Sequence, residues 1–249
     1  MTRLGNTGLV TTFAAVLSAR LRDDPGQPLV TFYDDASGER VELSVTTYAN
    51  WVAKAASLLV EELDLARGDT LRLDLPPHWL GPVFLGAAWT AGLAVTDSDE
   101  PDAVVCGPDE LERWAGRADE LPVLACSLLP MGVRFAEPVP SGVHDVGVEI
   151  WSQPDSFIPW DPTTSDDVAT TFGGEAVTHE ELWRAAAAGS LVPNGGRLLS
   201  VANPASPPGI ATFAQPLVRS GSLVLVAHAE RERLEAKYAT ERATARFPA

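Results

Sequence analysis

The residues best suited to chemistry stand together in the stretch DDVATTFGGEAVTHEEL, residues 166–182. Thr170 and Thr171 offer hydroxyl donors, and Gly173-Gly174 can expose consecutive amides as a small anion nest. Such a set suits a phosphate-bearing ligand. Glu175 opposes it, because a carboxylate about 4 Å from a phosphate charge costs roughly 1 kcal/mol in water and several times that in a partly dry site. A lysine would offset the repulsion, yet the chain has only Lys54 and Lys237 beside sixteen arginines, and neither is near this stretch in sequence.

His179 titrates near neutrality and so invites a catalytic role. However, Thr178 and Glu181 have capping-box spacing, and a histidine in a first helical turn needs no reaction to explain it. His78, His144 and His228 are scattered, with no spacing that brings metal ligands onto one face. The acidic clusters Asp97-Ser98-Asp99-Glu100 and 161–167 lack the glycine-spaced loop of a calcium site and read as solvated loop charge. No G-x-S-x-G elbow is present for a serine hydrolase. No catalytic residue and no metal is therefore expected. Thr170, Thr171, Gly173, Gly174, Thr178 and His179 remain as residual candidates for holding a ligand.

The 249 residues carry 34 acidic and 18 basic side chains, a formal charge of −16 that repels phosphate backbones and anionic lipid. Nucleic acid and membrane are excluded as expected partners, which leaves a protein partner or a second copy. Cys106 and Cys126 are too few for a disulfide framework and sit in apolar, strand-like contexts, which implies reduced, buried thiols and a cytoplasmic location. The apolar run at residues 9–19 superficially suggests a secretion signal, but Phe13, Val16, Leu17 and Leu21 have helical spacing, so an amphipathic helix is expected.

The elements that must position the candidates follow from periodicity. Alternating apolar residues at 29–33 and 39–44 flank a polar turn and predict a β-hairpin. From Thr47 the period becomes helical and stops near Arg67-Gly68. Strands are then expected at 70–75, 93–96, 103–106 and 123–126, with helices at 79–91 and 109–118 between them. Residues 138–164 break the rhythm with prolines, glycines and acids. A helix at 179–188, strands at 197–202 and 222–227 with a short helix between, and a charged helix at 230–242 complete the pattern. Repeated strand and helix alternation predicts an α/β fold with mostly parallel strands.

The order Thr47-Tyr48, Gly68-Asp69, Pro76-Pro77, Ala91-Gly92 in residues 47–95 resembles the opening of the acyl-adenylate-forming (AMP-binding, acyl-CoA synthetase-like) superfamily. RLLSVANPASPPGIATFAQPLVRSGSLVLV at 197–226 and Glu-Arg-Ala-Thr at 241–244 continue the likeness. The resemblance implies the N-terminal part of the adenylate-forming fold, two mostly parallel sheets flanked by helices in one domain over 1–249. The first layer would be built from about 47–188, the second from about 1–46 and 195–249. The chain most resembles short, actinobacterial-type relatives and covers about half of the parent architecture.

Working members of that superfamily carry a phosphate loop of the form Y-T-S-G-T-T-G-x-P-K-G before a Val-x-x-Thr-His segment. Here Val168 to Phe172 run directly into Gly173-Gly174-Glu175-Ala176 and Val177-Thr178-His179, with the loop shortened and its lysine absent. The ribose-binding aspartate and the catalytic lysine of the C-terminal domain have no counterpart. The resemblance thus implies a degenerate, truncated pseudoenzyme acting as a binding or interaction module, with no required cofactor. The alternative is an enzyme or ligand-binding protein that handles an acyl-CoA, acyl-adenylate or nucleotide and is completed by a partner or homodimer.

Overall fold

The computed structural model describes residues 11–248. The sequence expectation for positions 9 and 10 lies outside them. In chain order the elements begin α1 (Phe13–Asp23), β1 (Pro28–Asp34), β2 (Arg40–Ser44) and α2 (Val45–Ser57), which runs into a π-helical turn at Leu58–Glu62. There follow β3 (Thr70–Asp74), α3 (Leu80–Ala91), β4 (Ala94–Thr96), β5 (Ala103–Cys106), α4 (Leu111–Ala115), β6 (Val123–Ala125), β7 (Val143–Asp145) and α5 (Val146–Glu149). The remainder is β8 (Val168–Phe172), β9 (Glu175–Thr178), α6 (His179–Ala188), β10 (Arg197–Ser200), α7 (Ile210–Val218), β11 (Ser222–Ala227), α8 (Arg231–Thr240) and β12 (Ala245–Phe247).

Two sheets result, as the resemblance implies, and the alternation of strand and helix is that of an α/β fold. One has the order β7-β6-β5-β3-β4-β8-β9, the other β12-β10-β11-β1-β2. Every pairing is parallel except the hairpins β1/β2 and β8/β9. Helices α2 and α7 pack on the five-stranded sheet, α3 and α6 on the seven-stranded one, and α1 wedges among α2, α3 and α7. The main core therefore lies between the sheets and draws on both. Period-two alternation feeds separate outer cores: along β5, Ala103 and Val105 enter the main core while Val104 and Cys106 pack with Trp114 of α4. Along β11, Leu223 and Leu225 face inward while Val224 and Val226 sit near Leu234 and Tyr238 of α8.

Several sequence expectations need correction. The helix expected at 109–118 is a short 3₁₀ turn, Pro108–Glu110, followed by five α-helical residues, because only Trp114 is buried and Gly116 ends the run. The stretch 138–164 is not wholly irregular, since β7 adds to the sheet edge through β6. Strands β9 and β12 were not expected, and α2 starts at the Ser44 cap, whose Oγ accepts the Thr47 amide at 3.1 Å.

Helices α2 and α3 approach closely because Gly86 has no side chain. A Cβ there would lie 2.3 Å from the Tyr48 hydroxyl and 2.8 Å from both Phe13 and Val52. Gly86→Ala should cost about 1–3 kcal/mol by overpacking, while Gly116→Ala, where a Cβ meets nothing within 4 Å, should be nearly neutral. Urea unfolding of the two variants beside the parent chain measures the difference.

Candidate functional site

The carboxyl ends of parallel strands are where open α/β sheets bind ligands. Here the ends of β3, β4 and β8 meet the loop after β10 across a cleft of about 170 Å³, lined among others by Thr96, Asp97, Phe172, Asn203 and Ser206. Its polar groups are turned on one another. The Asn203 amide donates to Leu75 O at 2.7 Å and its Oδ1 accepts the Ala205 amide at 3.0 Å. Thr96 Oγ1 donates to Thr171 O at 3.1 Å and accepts the Ser98 amide at 3.1 Å.

At the mouth of this cleft, Gly173 and Gly174 make the two-residue turn of the β8/β9 hairpin, with φ of 59° and 81°. Positive φ at both central positions is the geometry that matches the twist of the flanking strands, and glycine reaches it without strain. The Gly173 amide points at the Asp97 carboxylate, 3.0 Å from each oxygen. The donor that the sequence offers to an external anion is thus taken by an internal one. Glu175 is exposed, and neither lysine reaches the turn: Lys54 pairs with Asp155 at 3.0 Å and Lys237 with Asp35.

The other candidates do not converge on the turn. Thr170 is buried and Thr171 half-buried in β8, and successive strand residues point to opposite faces, so their hydroxyls cannot serve one ligand. Thr178 lies at the far end of β9, roughly 10 Å from the turn at about 3.4 Å per residue. Its hydroxyl accepts the Glu181 amide at 3.3 Å, while Glu181 Oε2 accepts the Thr178 amide at 2.9 Å, a complete capping box. Thr178→Ala should lower unfolding free energy by about 1 kcal/mol through the lost cap, read from chemical denaturation.

His179 is fully buried, with its ring edge-on to Trp89 at 6.4 Å and neither ring nitrogen hydrogen-bonded. Burial pushes its pKa down to about 4, and burial likewise holds His78 at about 3. Both are neutral core residues near pH 7. Two unfolded histidines near 6.5 bind protons that the folded ones refuse, so this contribution is full above that value and is lost as pH falls toward the folded values. Stability should drop by about 2 kcal/mol per histidine between about pH 7 and pH 5, and His179→Leu should remove about half of that dependence in urea titrations.

The acidic clusters lie largely in solvent, as the sequence suggested, and are braced there by arginine. Arg72 Nη1 donates to Asp97 O, Ser98 O and Asp99 Oδ1 at 2.7–3.0 Å, and Arg113 and Arg117 pair with Asp99 and Glu100. Arg67 clasps Asp167 through two bonds, 2.9 and 2.8 Å, and Asp161 at 2.7 Å. No group of acids, histidines and cysteines fit for a metal occurs among the described residues. Sequence reasoning missed Asp97 and Asn203 as residues of the cleft. Asp97 was visible only as a member of an acidic run, and its partner is 76 residues away. Cys106 and Cys126 are buried free thiols with pKa values pushed up by burial, Cys106 to about 12.

No family model matches the chain. A TIGR03089 family protein of Mycobacterium tuberculosis (strain ATCC 25618 / H37Rv) is 34% identical over 245 residues, which is 94% of this chain and 97% of the relative. The chain belongs to the TIGR03089 family. Among solved structures, this family member superposes on an acyl-CoA synthetase of Brucella canis with a TM-score of 0.78 and 14% identity, over 94% of this chain and 46% of the other. A benzoate CoA ligase of Burkholderia xenovorans LB400 gives 0.73 and 16%, over 94% and 49%. A fatty acyl CoA synthetase of Mycobacterium tuberculosis gives 0.71 and 14%, over 94% and 48%. These likenesses establish the fold: it is the N-terminal part of the adenylate-forming fold, and the chain spans about half the length of those solved structures.

Proposed function

We propose that this TIGR03089 family protein is a non-catalytic relative of acyl-CoA synthetases, kept as a binding or interaction module. The observation that carries the reading is the Asp97 carboxylate on the Gly173 amide. Adenylation needs donors and positive charge around the ATP phosphates. At the corresponding turn a carboxylate already takes the donor, Glu175 adds a second negative charge nearby, and both lysines are engaged elsewhere.

The size of the cleft supports the same reading. Small-molecule pockets usually enclose roughly 300–1,000 Å³, and the space at the strand ends is about 170 Å³. Among the described residues no helix is long and apolar enough to cross a membrane. The buried, reduced thiols Cys106 and Cys126 fit work in the cytoplasm. The protein works without a required cofactor.

ATP–pyrophosphate exchange with a broad panel of carboxylic acids tests this directly, and the expected rate is that of the buffer blank. Exchange that survives repurification would overturn the reading in favour of an enzyme completed by a partner or second copy. Glu175→Lys should leave folding stability within about 0.5 kcal/mol, as exposed charges usually do, and should create no ATP-dependent shift in melting temperature. A shift in that variant would show that the turn is a latent nucleotide site.

A further inference from the structure

Between α5 and β8 the chain forms a strap that runs along the outside of α2 and its π-helical turn. The Trp151 ring meets Trp51 edge to face at 5.3 Å, and the Gln153 side chain is buried, its Oε1 accepting the Ser57 hydroxyl at 2.9 Å. Lys54 pairs with Asp155 at 3.0 Å, and Arg67 fastens the far end at Asp161. Between these anchors burial alternates: Phe157 and Pro159 turn inward, whereas Ile158 is 86% and Trp160 93% exposed. Trp151 is also half exposed. A groove of about 270 Å³ opens between the strap and the π-helical turn, walled by Val60, Leu65, Phe157 and Trp160.

Single exposed apolar residues need no explanation, but a tryptophan and an isoleucine side by side at a preformed groove mark a contact surface. Both are held outward by fixed neighbours. The charge around them selects the occupant. Exposed Glu61, Glu62 and Asp64 lie between the two wall residues Val60 and Leu65, and exposed Asp155 and Asp161 flank the strap. The two cations at hand, Lys54 and Arg67, are already paired with acids. A second copy would bring the same acidic rim and another formal charge of −16, and an anionic bilayer would be repelled in the same way.

We infer that the strap at 151–161 is a docking surface for a basic, amphipathic segment of a partner protein, whose apolar side chains enter the groove beside Trp160 and whose cations meet Glu61, Glu62 and Asp64. Apolar anchors supply affinity at such a surface, and the acidic rim supplies selectivity and encounter rate. The site is separate from the β8/β9 turn. It stands whether or not the chain also handles a small ligand.

The test uses the full chain and two labelled synthetic peptides, amphipathic helices of leucine with lysine and of leucine with glutamate, followed by fluorescence anisotropy at low and high salt. The lysine peptide should bind, weaken as salt rises, and lose about tenfold or more in affinity against both Ile158→Ser/Trp160→Ser and Glu61→Lys/Asp64→Asn. All four positions are exposed, so melting temperatures should hold and report that the variants fold. Equal affinity of the Ile158→Ser/Trp160→Ser variant, equal binding of the glutamate peptide, or no binding at all would overturn the assignment. So would a dimer in sedimentation that the same double variant dissolves, or flotation with phosphatidylcholine vesicles that it abolishes, which would give the surface to a second copy or to lipid.

Discussion

Helix α3 has no face to give to water: only Thr90 of its twelve residues escapes burial, and its hydroxyl donates back to Gly86 O at 2.7 Å. A helix that is apolar all round must be enclosed, and here β3 and β4 cover one side while α1 and α2 cover the other. The closest part of that enclosure is set at Gly86, where Tyr48, Phe13 and Val52 converge. Because α2 also carries β1 and β2, enclosing α3 joins the two sheets into one core. The crevice between the sheets, and with it the candidate cleft, exists because this helix had to be covered twice.

The lysine-poor, arginine-rich composition has a structural outlet. Arg67, Arg72, Arg113 and Arg117 each engage two or more partners, mostly in the loops at 97–100 and 161–167. A planar guanidinium can hold a carboxylate and a carbonyl at once, which an ammonium does less well. On the other sheet Arg197 reaches Ser222, Thr31 and Glu241 together. These arginines fix loops at the ends of strands.

Much of the fold was legible because its signals are local. The Thr178-to-Glu181 spacing gives the start of α6, Gly92 with φ of 79° ends α3, and the strand and helix alternation gives the parallel sheets. What the sequence did not show depends on neighbours distant in the chain. Strand β7 is Val-His-Asp, with no alternation of its own, and exists because β6 offers an edge. The contact between Asp97 and Gly173 joins two loops through the pairing of β4 with β8, and neither loop announces the other. His179 read as a helix-start residue, which it is, but its complete burial against Trp89 came only from the packing of α3 on α6.

Strand β1 pairs with β2 at once, but its other neighbour is β11, with Phe32 opposite Leu225. The whole seven-stranded sheet is encoded between them. At about 5–20 residues per second of synthesis, the interval is on the order of ten to forty seconds. During that time the ribosome holds a chain whose first hairpin has one open edge and an apolar face drawn from Leu29, Val30 and Phe32. The five-stranded sheet can therefore close only after the residues of the other sheet have been synthesised, and until β11 leaves the exit tunnel the cover close at hand in the chain for the early hairpin is α2, which packs on both of its strands.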